Sequence, residues 1–136
     1  MPIKKEWKFG AHQAHLESPD VLVMKFNGPT TFEETRQMVE IYAEVGSQRP
    51  VFLIADVSTT TTDARMRDYI SKNVKTEWFQ TVIYTGVGFV QKAAAKALAI
   101  ALYLSGKWKA DIEFVGTEQE ARAIIERKRQ KQKKVA

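Results

Sequence analysis

The apolar positions of residues 7–16 (WKFGAHQAHL) and 21–26 (VLVMKF) predict two strands. Ser18, Pro19 and Asp20 between them form a turn signal, and so short a connection implies an antiparallel hairpin. Asn27, Gly28 and Pro29 make a second break. Thr30 and Thr31 follow, with Glu33 and Glu34 each three residues later, a doubled capping-box spacing that starts a helix. This helix is expected from Thr31 to about Val45, with Phe32, Val39, Tyr42 and Ala43 on one face and Gly46 as its stop.

Residues 51–55 (VFLIA) are continuously apolar, the mark of a strand covered on both faces in a parallel sheet. The strand runs into Asp56 and a loop of hydroxyl residues up to Asp63. Met66, Ile70 and Val74 then recur every four residues and predict a helix to about Trp78. Residues 81–87 (TVIYTGV) read as a further strand, 90–105 as a third helix, and 111–115 (DIEFV) as a short last strand. Thr117 and Glu120 repeat the capping-box spacing and open a fourth helix, whose acids precede its bases as the helix dipole prefers. The expected order is β-β-α-β-α-β-α-β-α: an α/β single domain with an N-terminal β-hairpin followed by βαβαβα. Its sheet is expected to be mixed, mostly parallel and four- to five-stranded, packed with helices. The domain is assigned to residues 1–129, and 130–136 to a loose basic tail.

Composition narrows the chemistry. The chain has 136 residues, 44% hydrophobic and 27% charged, which suits one globular domain. It has no cysteine, so disulfides, zinc–thiolate sites, iron–sulfur clusters and cysteine nucleophiles are excluded. The absence fits a cytoplasmic setting. The N-terminus has charges with no apolar run behind them, so no secretory signal is read there. The longest apolar stretch, 93–104, contains Lys96 and is far short of the ~20 residues of a membrane span. The net charge of +5 comes from residues 127–134, where six of eight residues are basic. That run has no interleaved aromatics for base stacking, so a solvated helix end is favoured over a nucleic-acid contact.

The order of elements and several motifs resemble the STAS family, the fold of anti-sigma-factor antagonists. The nearer likeness is to small bacterial STAS-like proteins grouped with CRAL-TRIO-type lipid-binding domains. The resemblance spans roughly Trp7 to Glu126. It rests on the opening hairpin with Pro19-Asp20, the strand 52–57 (FLIADV) and the ending 112–121 (IEFVGTEQEA). It implies a regulatory domain that binds a protein partner, with a serine in the loop after the central strand that the partner kinase phosphorylates. Asp56 and Ser58 match the strand end of that pattern. After Asp63 this chain has Ala64 where the family's switch serine stands, so the phosphoswitch is not carried over at that position.

In an open α/β sheet, ligands gather beyond the carboxyl ends of the parallel strands. The candidate partner- or ligand-binding residues lie there: Asp56, Ser58, Thr59, Thr60, Thr61, Thr62 and Asp63, with Gly86 and Gly88 after the next strand. Ser58, Thr61 and Thr62 are candidate phosphorylation positions. The competing reading of this loop is a helix-capping segment, because hydroxyl side chains bond local backbone groups. Gly86 and Gly88 suggest a dinucleotide turn, but Gln91 occupies the third glycine position, so a tight strand-to-helix turn is preferred. His12 and His15 are three apart on a strand and point to opposite faces, which disfavours a metal site. No catalytic residue, metal or cofactor is assigned.

The leading expectation is a non-enzymatic domain that binds a protein partner through residues 56–63 and the following helix. The alternative is a carrier of a small lipophilic ligand, motivated by the apolar helix and by Phe26, Phe32 and Phe89. A third is an enzyme without a recognisable motif. The wide apolar surface of 90–104 also suggests a homodimer through that helix.

Overall fold

The computed structural model describes residues 3–61, 63–86, 106 and 108–135. Thr62, Gly88, Phe89, the expected helix over 90–105 and the dimer surface assigned to it lie outside the described residues. One mixed sheet has six strands in chain order: β1 (Ile3–Phe9), β2 (His12–Glu17), β3 (Val21–Lys25), β4 (Val51–Asp56), β5 (Phe79–Thr85) and β6 (Asp111–Phe114). β1, β2 and β3 pair antiparallel; the pairs β3–β4, β4–β5 and β5–β6 are parallel. Among the described residues the helices are α1 (Phe32–Gly46), α2 (Ala64–Asn73) and α3 (Glu118–Val135), with a short 3-10 turn at Thr76–Trp78.

The sheet has one strand more than the upper expectation because residues 7–16 are not one strand. Gly10 interrupts them with φ +65°, a left-handed conformation suited to a tight hairpin turn, and Phe9 faces His12 across it. A Cβ on Gly10 would lie 1.7 Å from Glu34 Oε2, so α1 also presses on this turn.

β4 is buried on both faces, as its continuous apolarity predicts. Leu53 and Ala55 join Leu22, Met24 and Val82 under α1 and α2, while Phe52 and Ile54 join Val21, Val23 and Ile83. That second face is closed by Ala121, Ile124 and Ile125 of α3. Of the doubled capping spacing, α1 uses the second pair. Thr31 Oγ1 accepts from Glu34 N at 3.1 Å, and Glu34 Oε1 accepts from Thr31 N at 3.0 Å.

α2 stops at Asn73, short of the expected Trp78, because Val74 turns extended at ψ 131°. Trp78 then fits against Gly46, whose missing Cβ would otherwise stand 2.3 Å from Trp78 Cβ. α3 continues helically to Val135, into the segment 130–136 read from sequence as a loose tail. Lys128 Nζ pairs with Asp111 Oδ2 at 2.7 Å, Arg129 pairs with Asp20, and Gln132 Nε2 donates to Gln80 Oε1 at 3.0 Å. Lysine, arginine and glutamine are good helix formers, so the basic run loses little by staying helical. Among the described residues, no helix is long and apolar enough to cross a membrane.

Candidate functional site

Parallel pairing brings the ends of β3, β4, β5 and β6 to one edge. Val57 N donates to Thr85 O at 3.1 Å, and Gly86 N donates to Gly116 O at 3.3 Å. These bonds splice the three loops that leave the edge. Between them lies a cleft of about 330 Å³ lined by Asp56, Ser58, Thr85, Gly86, Thr117 and Glu118, with Lys25 at the end of β3. Sequence reasoning placed Asp56, Ser58 and Gly86 here. It missed Lys25, Gly116, Thr117 and Glu118, although the rule that pointed to the carboxyl ends of β4 and β5 applies equally to β3 and β6.

The hydroxyl loop divides its work. Thr59 Oγ1 donates to Phe26 O at 2.8 Å and accepts from Gly28 N at 3.1 Å. Thr60 Oγ1 and Thr30 Oγ1 share a 2.5 Å hydrogen bond, and Thr61 O accepts from Thr30 N at 3.4 Å. These residues staple the loop to the segment before α1. Asp63 caps α2, its Oδ1 accepting from Met66 N at 2.9 Å. The helix-capping reading therefore holds for Asp63, while Thr59 and Thr60 serve as staples and do not line the cleft.

Ser58 stands apart. Its backbone N–H donates to Asp56 Oδ1 at 3.0 Å, which is an Asx turn, and its side chain is exposed in the cleft. Among the described residues no partner holds its hydroxyl. Gly86 (φ +71°) makes room for this turn: a Cβ there would lie 2.7 Å from Ser58 Cβ and 2.9 Å from Asp56 Oδ1. Glu118 at the start of α3 accepts from Arg122 Nε at 3.1 Å, so its charge is partly answered. Lys25 is exposed and has no ion-pair partner among the described residues. Among the described residues the cleft thus offers Lys25 without an ion-pair partner, the engaged carboxylates of Asp56 and Glu118, and the exposed hydroxyl of Ser58, a surface suited to polar recognition.

Both histidines are structural, and they lie on opposite faces. His12 is buried between Phe9 and Phe26, with ring centroids 5.3 and 5.4 Å away. Its Nδ1 accepts from Asn27 N at 2.9 Å, which leaves the proton on Nε2, 3.1 Å from Glu34 Oε1. His15 Nε2 lies 2.8 Å from Glu17 Oε2 on the α3 side. Glu17 is buried and accepts both arms of the Arg122 guanidinium at 2.8 and 2.7 Å. That fork holds the Glu17 carboxyl down at about 2, against the opposing effect of burial, with His15 helping. Of the three aromatics that motivated a lipophilic carrier, Phe26 and Phe32 are taken up in packing, and Phe89 lies outside the described residues. Phe26 belongs to the core, and Phe32 meets Tyr69 edge-on at 5.4 Å under Arg65.

No protein-family model matches the chain, and neither a curated protein nor a solved structure matches it.

Proposed function

We propose that this chain is a non-enzymatic interaction domain, of the STAS-like kind its sequence resembles, which binds a protein partner at the carboxyl edge of its sheet. The contact surface is the cleft around Ser58 with the adjoining loop and the outer face of α2. The observation that carries this reading is the contrast within the hydroxyl loop. Thr59 and Thr60 spend their side chains holding the loop in place, whereas Ser58 is exposed and its hydroxyl has no partner among the described residues. A loop fixed at several points offers a preformed surface, which lowers the ordering cost of binding. α2 supports the same use. It buries only Met66 of its ten residues, so most of its side chains face outward.

The test is an affinity capture with wild type, Ser58→Lys and, as a control away from the edge, Arg49→Gln. The expected result is a stoichiometric partner retained by wild type and Arg49→Gln and lost by Ser58→Lys, with all three equally folded by circular dichroism. A partner held equally by Ser58→Lys would overturn the reading.

A further inference from the structure

A second cleft lies at the opposite end of the sheet, between β1, the end of β2 and the last turn of α1. It arises from how α1 ends. Gly46 lets the final turn close onto Trp78 on the β5 side. On the β1 side the side chains of Lys5 and Glu44 bridge the gap as an ion pair. The space left is about 410 Å³, within the range of small-molecule sites.

Its lining has two parts. Half-buried Trp7 and Leu16 supply apolar surface, with Val45 and Val51 buried beneath them in the core on this face of the sheet. Lys4, Lys5 and Arg49 stand exposed at the rim, and Glu44 is the one acid among the lining residues. Glu44 is committed to Lys5, so the rim carries a net charge of +2. Neither Lys4 nor Arg49 has an ion-pair partner among the described residues. At the helix end two carbonyls are already used: Ser47 N donates to Ala43 O at 3.1 Å, and Gln48 N and Arg49 N to Val45 O, each at 3.3 Å.

A polar-rimmed cleft with an apolar patch at Trp7 and Leu16 and two cations unpaired among the described residues matches one ligand class. We infer that this cleft binds a small amphipathic organic anion, a carboxylate with an apolar chain or ring. The apolar body would lie against Trp7 and Leu16, and the carboxylate between Lys4 and Arg49. Guanidinium suits a carboxylate in particular, because its planar fork donates two parallel hydrogen bonds. A neutral lipid would leave the cations unanswered, and an alkylammonium would be repelled. The site is separate from the Ser58 cleft and does not depend on the partner-binding reading.

The test is a titration of the full chain with octanoate, octanol and octyltrimethylammonium, followed by amide and indole NMR shifts. Octanoate should shift Trp7, Leu16, Val45 and Arg49 saturably, and octyltrimethylammonium should not. Lys4→Gln combined with Arg49→Gln should weaken octanoate by about tenfold and leave octanol unchanged, since each removes one screened surface charge contact. Ser58→Lys should bind octanoate as wild type does, which separates this site from the partner surface. Octanol binding as tightly as octanoate would overturn the inference, as would octanoate shifts confined to other residues. Shifts of the same residues on dilution without ligand would also overturn it, by showing that a second copy covers the cleft.

Discussion

His12 Nε2 and Glu34 Oε1 stand 3.1 Å apart, and this contact joins the first hairpin to the first turn of α1. Both ring nitrogens of His12 are used, since Nδ1 accepts from Asn27 N. Glu34 at the same time completes the capping box with Thr31. Replacing Glu34 by alanine removes a cap and leaves a buried donor unanswered. The expected loss is about 2–4 kcal/mol, summed from a cap and an unsatisfied buried group. Urea unfolding of Glu34→Ala checks it, and a loss below about 0.5 kcal/mol would show that the contact is dispensable. The histidine tautomer is a second readout. Nitrogen NMR should show His12 protonated on Nε2.

Much of this architecture is legible in the sequence because its signals are local. Thr31 and Glu34 mark the start of α1, and Val51 to Ala55 mark a strand buried on both faces. The hairpin turn at Gly10 was hidden by the apolar residues on both sides of it, Phe9 and Ala11, which continue a strand-like pattern through the glycine. An isolated glycine inside a strand pattern is itself a warning of a bulge or turn. The candidate site was half legible. Asp56, Ser58 and Gly86 follow from the carboxyl-edge rule, but no local pattern says which of five adjacent hydroxyls faces the cleft. That choice is made by Phe26 O, Gly28 N and Thr30, residues about thirty positions away in the chain. The Glu17–Arg122 fork is equally invisible, since its partners are 105 residues apart and meet only when α3 docks on the sheet.

That fork predicts a pH dependence. The Glu17 carboxyl falls from an ordinary value of 4.5 to about 2 in the folded protein, chiefly through Arg122. The unfolded chain therefore binds more protons than the folded one between these values, so stability rises with pH across that window. The contribution is complete above about pH 5 and is lost as pH falls towards 2. It amounts to about 3 kcal/mol. Glu34 is also lowered, first by the hydrogen bond from the Thr31 backbone, and acts in the same direction. Urea midpoints of wild type should drop between pH 5 and 2. Glu17→Gln should begin lower at pH 7 and lose less over the same range. Parallel slopes for the two proteins would mean that the fork is not the acid-sensitive element.

The division of labour among the hydroxyls gives a sharper contrast, because it concerns neighbouring residues. Thr59→Val keeps shape but strips the acceptor from Gly28 N and the donor to Phe26 O. It should cost about 1–2 kcal/mol. Ser58→Ala removes a hydroxyl that no described residue holds and should stay within about 0.5 kcal/mol of wild type. If the two variants unfold at the same denaturant concentration, the assignment of Thr59 as a staple and Ser58 as a presented group is wrong.

Gly86 tests whether the cleft is held open by backbone geometry. Its φ of +71° is left-handed, and a Cβ would meet Ser58 Cβ at 2.7 Å and Asp56 Oδ1 at 2.9 Å. Gly86→Ala therefore adds conformational strain and pushes on the Asx turn at the same moment. Strain at such a position costs about 1–3 kcal/mol. The turn has an escape, because Ser58 is exposed and can move outward, breaking its 3.0 Å bond to Asp56. The expected outcome is a destabilised protein in which the Ser58 amide exchanges with solvent faster than in wild type. Gly28→Ala is the matched control. Its φ is +95°, yet nothing lies within 4 Å of the added Cβ, so it carries backbone strain without the collision. Faster exchange at Ser58 in Gly86→Ala but not in Gly28→Ala would assign the effect to the collision. Equal exchange in both would mean that the glycine serves only its own backbone angle, and that Ser58 is positioned by Asp56 alone.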